Sequence, residues 1–228
     1  MDIQLIANYM EANPEIYRML KHCPYEILRQ WKLMQYSKGA MLFQQDEVYD
    51  RFGIMVEGIA DINIIGENGK KYSQATYSAG DMIGEIEIFD QIPFISNVEA
   101  ITDVTIISLQ RDYFLTWLQL DSNFNQYFIK KVLYYNYTIA KREGINNLYP
   151  LHHRVCKYLM GCIRKGTQHS QGVMIPLNKQ ELSQQFAVTQ RSINRILFQL
   201  REKGIIDIHK HELLIRDMDR LQLETQLE

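Results

Sequence analysis

Asn178 to Gly204 reads N-K-Q-E-L-S-Q-Q-F-A-V-T-Q-R-S-I-N-R-I-L-F-Q-L-R-E-K-G and contains two helix starts. Asn178 is placed to cap the first, and Glu181 stands three residues on, where its carboxylate can reach back to the cap's own N–H. Leu182 and Phe186 make the inner face of that short helix, and Ala187 and Val188 turn the chain. Thr189 caps the second helix, its hydroxyl accepting from an orphan first-turn N–H. Ile193, Ile196, Leu197 and Leu200 recur at helical spacing and must face a core. Gly204 ends the helix, because the left-handed residue after a helix suits a side chain without Cβ. The outer face then carries Gln190, Arg191, Asn194 and Arg195. These side-chain types read base edges: Arg forks onto guanine, Gln or Asn onto adenine. The stretch predicts a helix-turn-helix with its second helix shaped for a major groove. An αα-hairpin with a solvated polar face carries the same pattern. The next residues favour the first reading. Ile205, Ile206 and Ile208 alternate as a strand, His209 to His211 form a polar turn, and Leu213 to Ile215 return. A β-hairpin directly after a helix-turn-helix is a wing.

Working outward, Arg154 to Ile163 reads as a helix and Gly172 to Leu177 as a strand leading into Asn178. The glycine and proline of Glu143-Gly144 through Tyr149-Pro150 end a helix and place a domain boundary there, since neither sustains a helix cheaply. Before that boundary a helix is expected from Arg111 to about Asn147. Within it Phe128, Val132, Tyr135 and Ile139 step 4-3-4, the spacing of a coiled-coil seam, although the next steps fall on Arg142 and Asn146. A helix packed on its own β-domain has the same apolar stripe, and the two can use different faces. From Trp31 the period is two. Short strand-like runs (W-K-L-M-Q-Y, M-L-F, F-G-I-M-V, I-A-D-I-N-I-I, K-Y-S-Q-A-T-Y, I-S-N-V-E-A-I, V-T-I-I-S-L) are separated by turn residues, with glycines at 39, 58, 69 and 80. Many short, evenly spaced strands predict an antiparallel sandwich or barrel. Residues 3–30 read as helical, with Pro14 breaking the run and Tyr17, Leu20 and Ile27 suggesting a second short helix.

The 228 residues suit one large or two ordinary domains, and 46% hydrophobic content is that of a globular chain. No apolar run approaches the ~18 residues of a membrane span. The N-terminus M-D-I-Q-L-I-A-N has no basic region of the signal-peptide kind. The expected compartment is the cytoplasm, with no membrane partner. Cys23, Cys156 and Cys162 are an odd, widely spaced set, which favours free thiols. The net charge of −2 conceals an asymmetry. Residues 1–150 hold 13 Lys+Arg and 19 Asp+Glu, a balance of −6, whereas residues 151–228 hold 12 and 8, a balance of +4, with five of the six histidines. The basic half is the half with the helix-turn-helix, the footprint of a DNA-binding domain joined to an acidic one.

A β-domain, a long helix and a winged helix-turn-helix, in that order, resemble the Crp/Fnr transcription regulators over nearly the whole chain. V-E-G-I-A-D-I-N, G-E-N-G-K-K-Y and A-G-D-M-I-G-E-I-E-I-F look like successive signature turns of the cyclic-nucleotide-binding fold. Q-E-L-S-Q-Q-F-A-V-T-Q-R-S-I-N-R-I-L-F-Q-L resembles the family's DNA-binding motif without a gap, and I-G-E-I-E-I-F resembles the YeiL-like branch. The resemblance implies an α+β fold: an N-terminal antiparallel β-roll domain with its leading helices (1–110), a long dimerisation helix (111–147) and a C-terminal winged helix-turn-helix domain (150–228). It implies a homodimer on a near-palindromic site in double-stranded DNA, with RNA polymerase as a further partner and an unidentified small-molecule effector.

The site residues follow from the same resemblance. In cyclic-AMP-binding members a glycine and a glutamate meet the ribose, and an Arg-Ser pair grips the cyclic phosphate. Gly84, Glu85 and Ser96 match, but Ile95 stands at the arginine position, which removes the forked, charge-assisted contact to the phosphate. Ile139, Ala140 and Lys141 offer no obvious polar pair for adenine. The expectation is no cyclic AMP binding in the family manner, and another effector or none. Glu85 equally suits a carboxylate that caps a turn. Arg195 matches the arginine that members aim at a guanine. Arg191 replaces a common glutamate and should change the preferred half-site, and Gln190 departs as well. Thr189 and Ser192 look like phosphate-positioning hydroxyls, and Lys179, Lys210 and His211 like backbone contacts. No cofactor is assigned. An iron–sulfur cluster needs four cysteine ligands, more than the three present. His152-His153 and His209-x-His211 have no third metal ligand in view. An enzyme built on Glu85, Glu87 and Asp90 near Ser96 lacks a nucleophile–base pair. A sensor with this fold that has lost DNA binding is the remaining alternative.

Overall fold

The computed structural model describes residues 3–226. The chain divides into two compact units, Met1–Asn136 and Tyr137–Glu228.

The first unit opens with α1 (Ile3–Ala12), α2 (Pro14–Leu20) and α3 (Tyr25–Leu28). Pro14 follows the end of one helix and begins the next. Its fixed φ suits a first turn, where a missing N–H goes unnoticed, and Asn13 Oδ1 caps that turn by accepting from the Glu15 and Ile16 N–H groups. Eight strands follow: β1 (Lys32–Tyr36), β2 (Met41–Phe43), β3 (Arg51–Glu57), β4 (Ala60–Ile65), β5 (Lys71–Tyr77), β6 (Met82–Ile83), β7 (Asn97–Ala100) and β8 (Val104–Gln110). They form two antiparallel four-stranded sheets, ordered β1-β8-β3-β6 and β2-β7-β4-β5. All but the two-residue β6 correspond to the alternating runs in the sequence. The central strands are buried on both faces because successive side chains point opposite ways. From β3, Phe52, Ile54 and Val56 enter a core with Trp31, Phe114 and Trp117 under the helices, while Met55 enters the core with Phe43 and Phe94 between the sheets.

The helix expected over 111–147 is two helices, α4 (Arg111–Leu120) and α5 (Ser122–Leu148). Asp121 breaks it: extended at φ −113° and ψ 92°, it turns its carboxylate on both helices. Oδ1 accepts from the Asn123 and Phe124 N–H groups, and Oδ2 accepts from Trp117 Nε1 at 3.2 Å. The coiled-coil stripe also needs correction. Phe128 is buried in the core under the helices, and Val132 and Tyr135 pack against it. The exposed apolar side chains of α5 include Ile129, Leu133 and Tyr137, spaced by four along another face.

The second unit contains α6 (Leu151–Cys162), β9 (Thr167–His169), β10 (Gly172–Pro176), α7 (Lys179–Gln185), α8 (Gln190–Glu202), β11 (Ile206–Ile208), β12 (Glu212–Ile215) and α9 (Met218–Glu224). The wing hairpin β11–β12 is extended by β10 and β9 into one antiparallel sheet, ordered β11-β12-β10-β9. Neither β9 nor α9 is expected from the sequence. The first is three exposed polar residues, and the second turns one buried leucine, Leu221, inward behind its cap Asp217. Among the described residues no helix is long and apolar enough to cross a membrane.

Candidate nucleic-acid interface and effector site

Asn178 caps α7 as expected, its Oδ1 accepting from the Gln180 and Glu181 N–H groups. Glu181 departs from the expectation in detail: its Oε1 accepts from the Asn178 side-chain amide at 2.6 Å rather than from the cap's backbone. Ala187 takes φ +55°, a left-handed conformation uncommon without glycine. The reversal is held by Val188 N–H donating to the Ser183 carbonyl at 2.9 Å. Thr189 then caps α8, its hydroxyl accepting from Ser192 N–H at 3.2 Å and lying 3.0 Å from the Ser192 hydroxyl.

Helix α8 is sharply two-sided. Ile193, Ile196, Leu197 and Leu200 are buried, and Gln190, Arg191, Asn194 and Arg195 are exposed. No ion pair or hydrogen bond from these four exposed side chains to another side chain is present among the described residues. Both guanidiniums are thus uncommitted. Lys179 is half-buried at the start of α7, and Lys210 is exposed at the wing tip. Gly204 closes α8 at φ +70°.

One positioning cluster escapes sequence reading because its members lie far apart in the chain. Glu224 of α9 is buried, its Oε1 accepting from Lys203 Nζ at 2.6 Å and its Oε2 lying 2.8 Å from His152 Nε2. Burial would raise this carboxyl, but the hydrogen bonds from Lys203 and His152 outweigh burial and hold it below the usual carboxylate range. The pairing fixes the C-terminal end of α8 to α6 and α9. His152 is therefore a structural partner, and no group of three or more His, Cys, Asp or Glu suited to a metal exists among the described residues.

In the first unit, Gly84 has φ +80°, and a Cβ there would lie 3.1 Å from both the Arg51 carbonyl and the Phe94 ring. Glu85 and Glu87 are buried in an irregular turn rather than on a strand. Burial, reinforced by Glu87 and Asp81 against the opposing Lys131, pushes the Glu85 carboxyl up to about 8. Ser96 donates its hydroxyl proton to Gln74 Oε1 at 2.7 Å, and Ile95 is half exposed. The residues matching the family's phosphate-binding turn are thus accompanied by carboxylates and a neutral serine, with no cation at position 95.

A β-roll bearing a capped, winged helix-turn-helix defines a two-domain DNA-binding regulator. The family model for the cyclic nucleotide-binding domain matches residues 33–121, and that for the Crp-like helix-turn-helix domain matches residues 153–224, together more than half of the chain. The CRP-like cAMP-activated global transcriptional regulator of Mycobacterium tuberculosis is 25% identical over 205 residues, covering 86% of this chain and 88% of that one. The anaerobic regulatory protein of Bacillus subtilis is 22% identical, covering 97% and 95%. Among solved structures, the c-di-GMP responsive global regulator CLP of Xanthomonas campestris has the same fold at a TM-score of 0.73 and 14% identity, covering 89% and 98%. The chain belongs to the Crp/Fnr family of transcription regulators. It is a CRP-like transcription regulator with a DNA-binding helix-turn-helix, in a family whose members are not enzymes.

Proposed function

We propose that the protein regulates transcription as a homodimer on a near-palindromic promoter site, without recognising cyclic AMP in the family manner. The observation that carries the reading is the set Gln190, Arg191, Asn194 and Arg195, exposed and without side-chain partners among the described residues, on a helix whose other face is buried. Arg195 contacts a guanine edge. Arg191 takes a second guanine or a phosphate, and Gln190 and Asn194 contact neighbouring bases. Thr189, Ser192, Lys179 and Lys210 fix register on the phosphates. The exposed Ile129, Leu133 and Tyr137 of α5 support a pairing of two chains, with residues 111–147 as the dimerisation segment between an effector-type domain (1–110) and the reading head (150–228). Two reading heads then meet half-sites about one DNA turn apart. RNA polymerase is the further protein partner.

Gly84, Glu85 and Ser96 line the proposed effector region. An anionic cyclic phosphate would find no guanidinium at position 95, so the forked, charge-assisted contact is missing, and Glu87 and Asp81 lie close to Glu85. A different effector biases the reading heads by binding one arrangement more tightly than the other.

The test is selection from a random duplex library at a stated low salt, without added effector, with Arg195→Ala in parallel. A palindromic motif is expected, and the variant should lose preference at one base pair per half-site, about 1–3 kcal/mol. Motifs without two-fold symmetry would count against the dimer. No motif, even after cell extract is added, would count against DNA reading.

A further inference from the structure

A cleft of about 480 Å³ in the first unit lies between α2 and α5. Its charge is opposite to that of its half of the chain. Residues 1–150 hold 13 Lys+Arg against 19 Asp+Glu, yet Arg18, Lys21, Lys130 and Lys131 all line this one space. The one carboxylate in its lining, Glu15, is already engaged, accepting from Arg18 Nη1 at 2.9 Å and from the Tyr127 hydroxyl at 2.7 Å. Lys131 is shared with the Gly80 carbonyl at 3.2 Å and Asp81 at 3.6 Å. Lys21 and Lys130 have no ion-pair or hydrogen-bond partner among the described residues. Like charges gathered in a concave space raise the local potential and draw in an anion. The volume falls within the roughly 300–1,000 Å³ of small-molecule sites. The Tyr134 ring beside it is largely exposed, a flat surface for a planar group.

We propose that this cleft binds a phosphate-bearing small molecule of nucleotide size. Lys21 and Lys130 hold the phosphates, Arg18 stays paired with Glu15 beside them, and Tyr134 takes the planar part. The site is separate from Gly84, Glu85 and Ser96, none of which lines it. It also has a route to the rest of the unit. An anion in the cleft competes with Asp81 for Lys131, and Asp81 is the residue that joins α5 to the turn between β5 and β6. The assignment stands whether or not the chain reads DNA as proposed above.

The experiment is isothermal titration calorimetry on the full chain at low salt, with GTP, pyrophosphate, inorganic phosphate and guanosine as probes. GTP and pyrophosphate are expected to bind and guanosine is not. Tighter binding of GTP than of pyrophosphate supports the ring contact as well, and equal binding supports the phosphate site alone. Combining Lys21→Glu with Lys130→Glu should weaken binding by about tenfold or more. Its circular dichroism should be unchanged, because both side chains are exposed. Should that variant fail to fold, Lys21→Gln with Lys130→Gln reads the same contact. Absence of binding by every phosphate probe overturns the proposal, as does binding that survives the lysine changes. Loss of binding in Arg195→Ala or Ser96→Ala instead assigns the anion to the reading helix or the family turn, and equally overturns it.

Discussion

Tyr135 donates its hydroxyl proton to Asp81 Oδ1 at 3.0 Å, and its ring lies at 21° to that of Tyr77 with centroids 6.2 Å apart. Asp81 binds its own turn as well, Oδ2 accepting from Ser78 N–H at 2.9 Å, and it pairs with Lys131 at 3.6 Å. One carboxylate therefore holds the β5–β6 turn and two successive turns of α5. Burial and Asp81 raise the Tyr135 phenol, so it remains a donor throughout the working pH range. Tyr135→Phe keeps the ring contact and loses one hydrogen bond, a cost of about 0.5–1.5 kcal/mol in urea unfolding. Asp81→Ala removes all three partners and should cost about 2 kcal/mol or more. Equal losses in the two variants would mean that the phenol bond is the only contact at Asp81 that matters.

Acid should loosen the reading head through Glu224. Its carboxyl lies below the usual range when folded, so its contribution is complete above the unfolded value of about 4.3 and is lost as pH falls through the folded value. Glu224→Gln keeps the shape but weakens the bonds to Lys203 and His152. At pH 7 it should cost about 1–3 kcal/mol, and the difference from the native chain should vanish toward pH 3. Denaturant unfolding at several pH values, followed by a signal from the second unit, measures it. A pH-independent cost would show that shape rather than charge is at stake.

The reading helix was almost fully legible because its information is local: a cap at Thr189, apolar residues at helical spacing and Gly204 at the end. The β-roll was legible for the same reason, since each strand alternates within a few residues. Pairings across long separations were not. Asp121 reads as one more residue in a helical run until its carboxylate is seen serving Trp117 on one side and Phe124 on the other. The stripe Phe128, Val132 and Tyr135 has a coiled-coil period, but the nearest apolar surface available to it is the unit's own core. Periodicity identifies a buried face without saying what buries it. In the effector region the departure at Ile95 was visible, but the accumulation of Asp81, Glu85 and Glu87 needed the fold. Sequence proximity groups Glu85 and Glu87 with Asp90, whereas burial in an irregular turn couples Glu85 to Glu87 and Asp81 instead.

Glu85 gives the opposite pH dependence to Glu224. Burial, together with Glu87 and Asp81, pushes its folded carboxyl up to about 8, whereas the unfolded chain releases the proton near 4.3. The folded state therefore binds this proton more tightly. The group is most favourable to folding below about pH 4, becomes less so as pH rises from there, and levels off above about 8. Glu85→Gln fixes the neutral form. The variant should match the native chain at pH 4 and exceed it at pH 8–9, by an amount that grows through the interval between. Thermal or urea unfolding of both proteins across pH 4–9 is the measurement. A variant less stable than the native chain at pH 8 would mean that Glu85 is ionised and held by hydrogen bonds there. The first unit would then accommodate a buried negative charge, and the charge argument against a cyclic phosphate would strengthen. A crossover in the expected direction instead leaves Glu85 as a neutral donor at physiological pH, able to hydrogen-bond a ribose hydroxyl or any other neutral oxygen. In that case the missing guanidinium at position 95 is the main barrier to an anionic ligand.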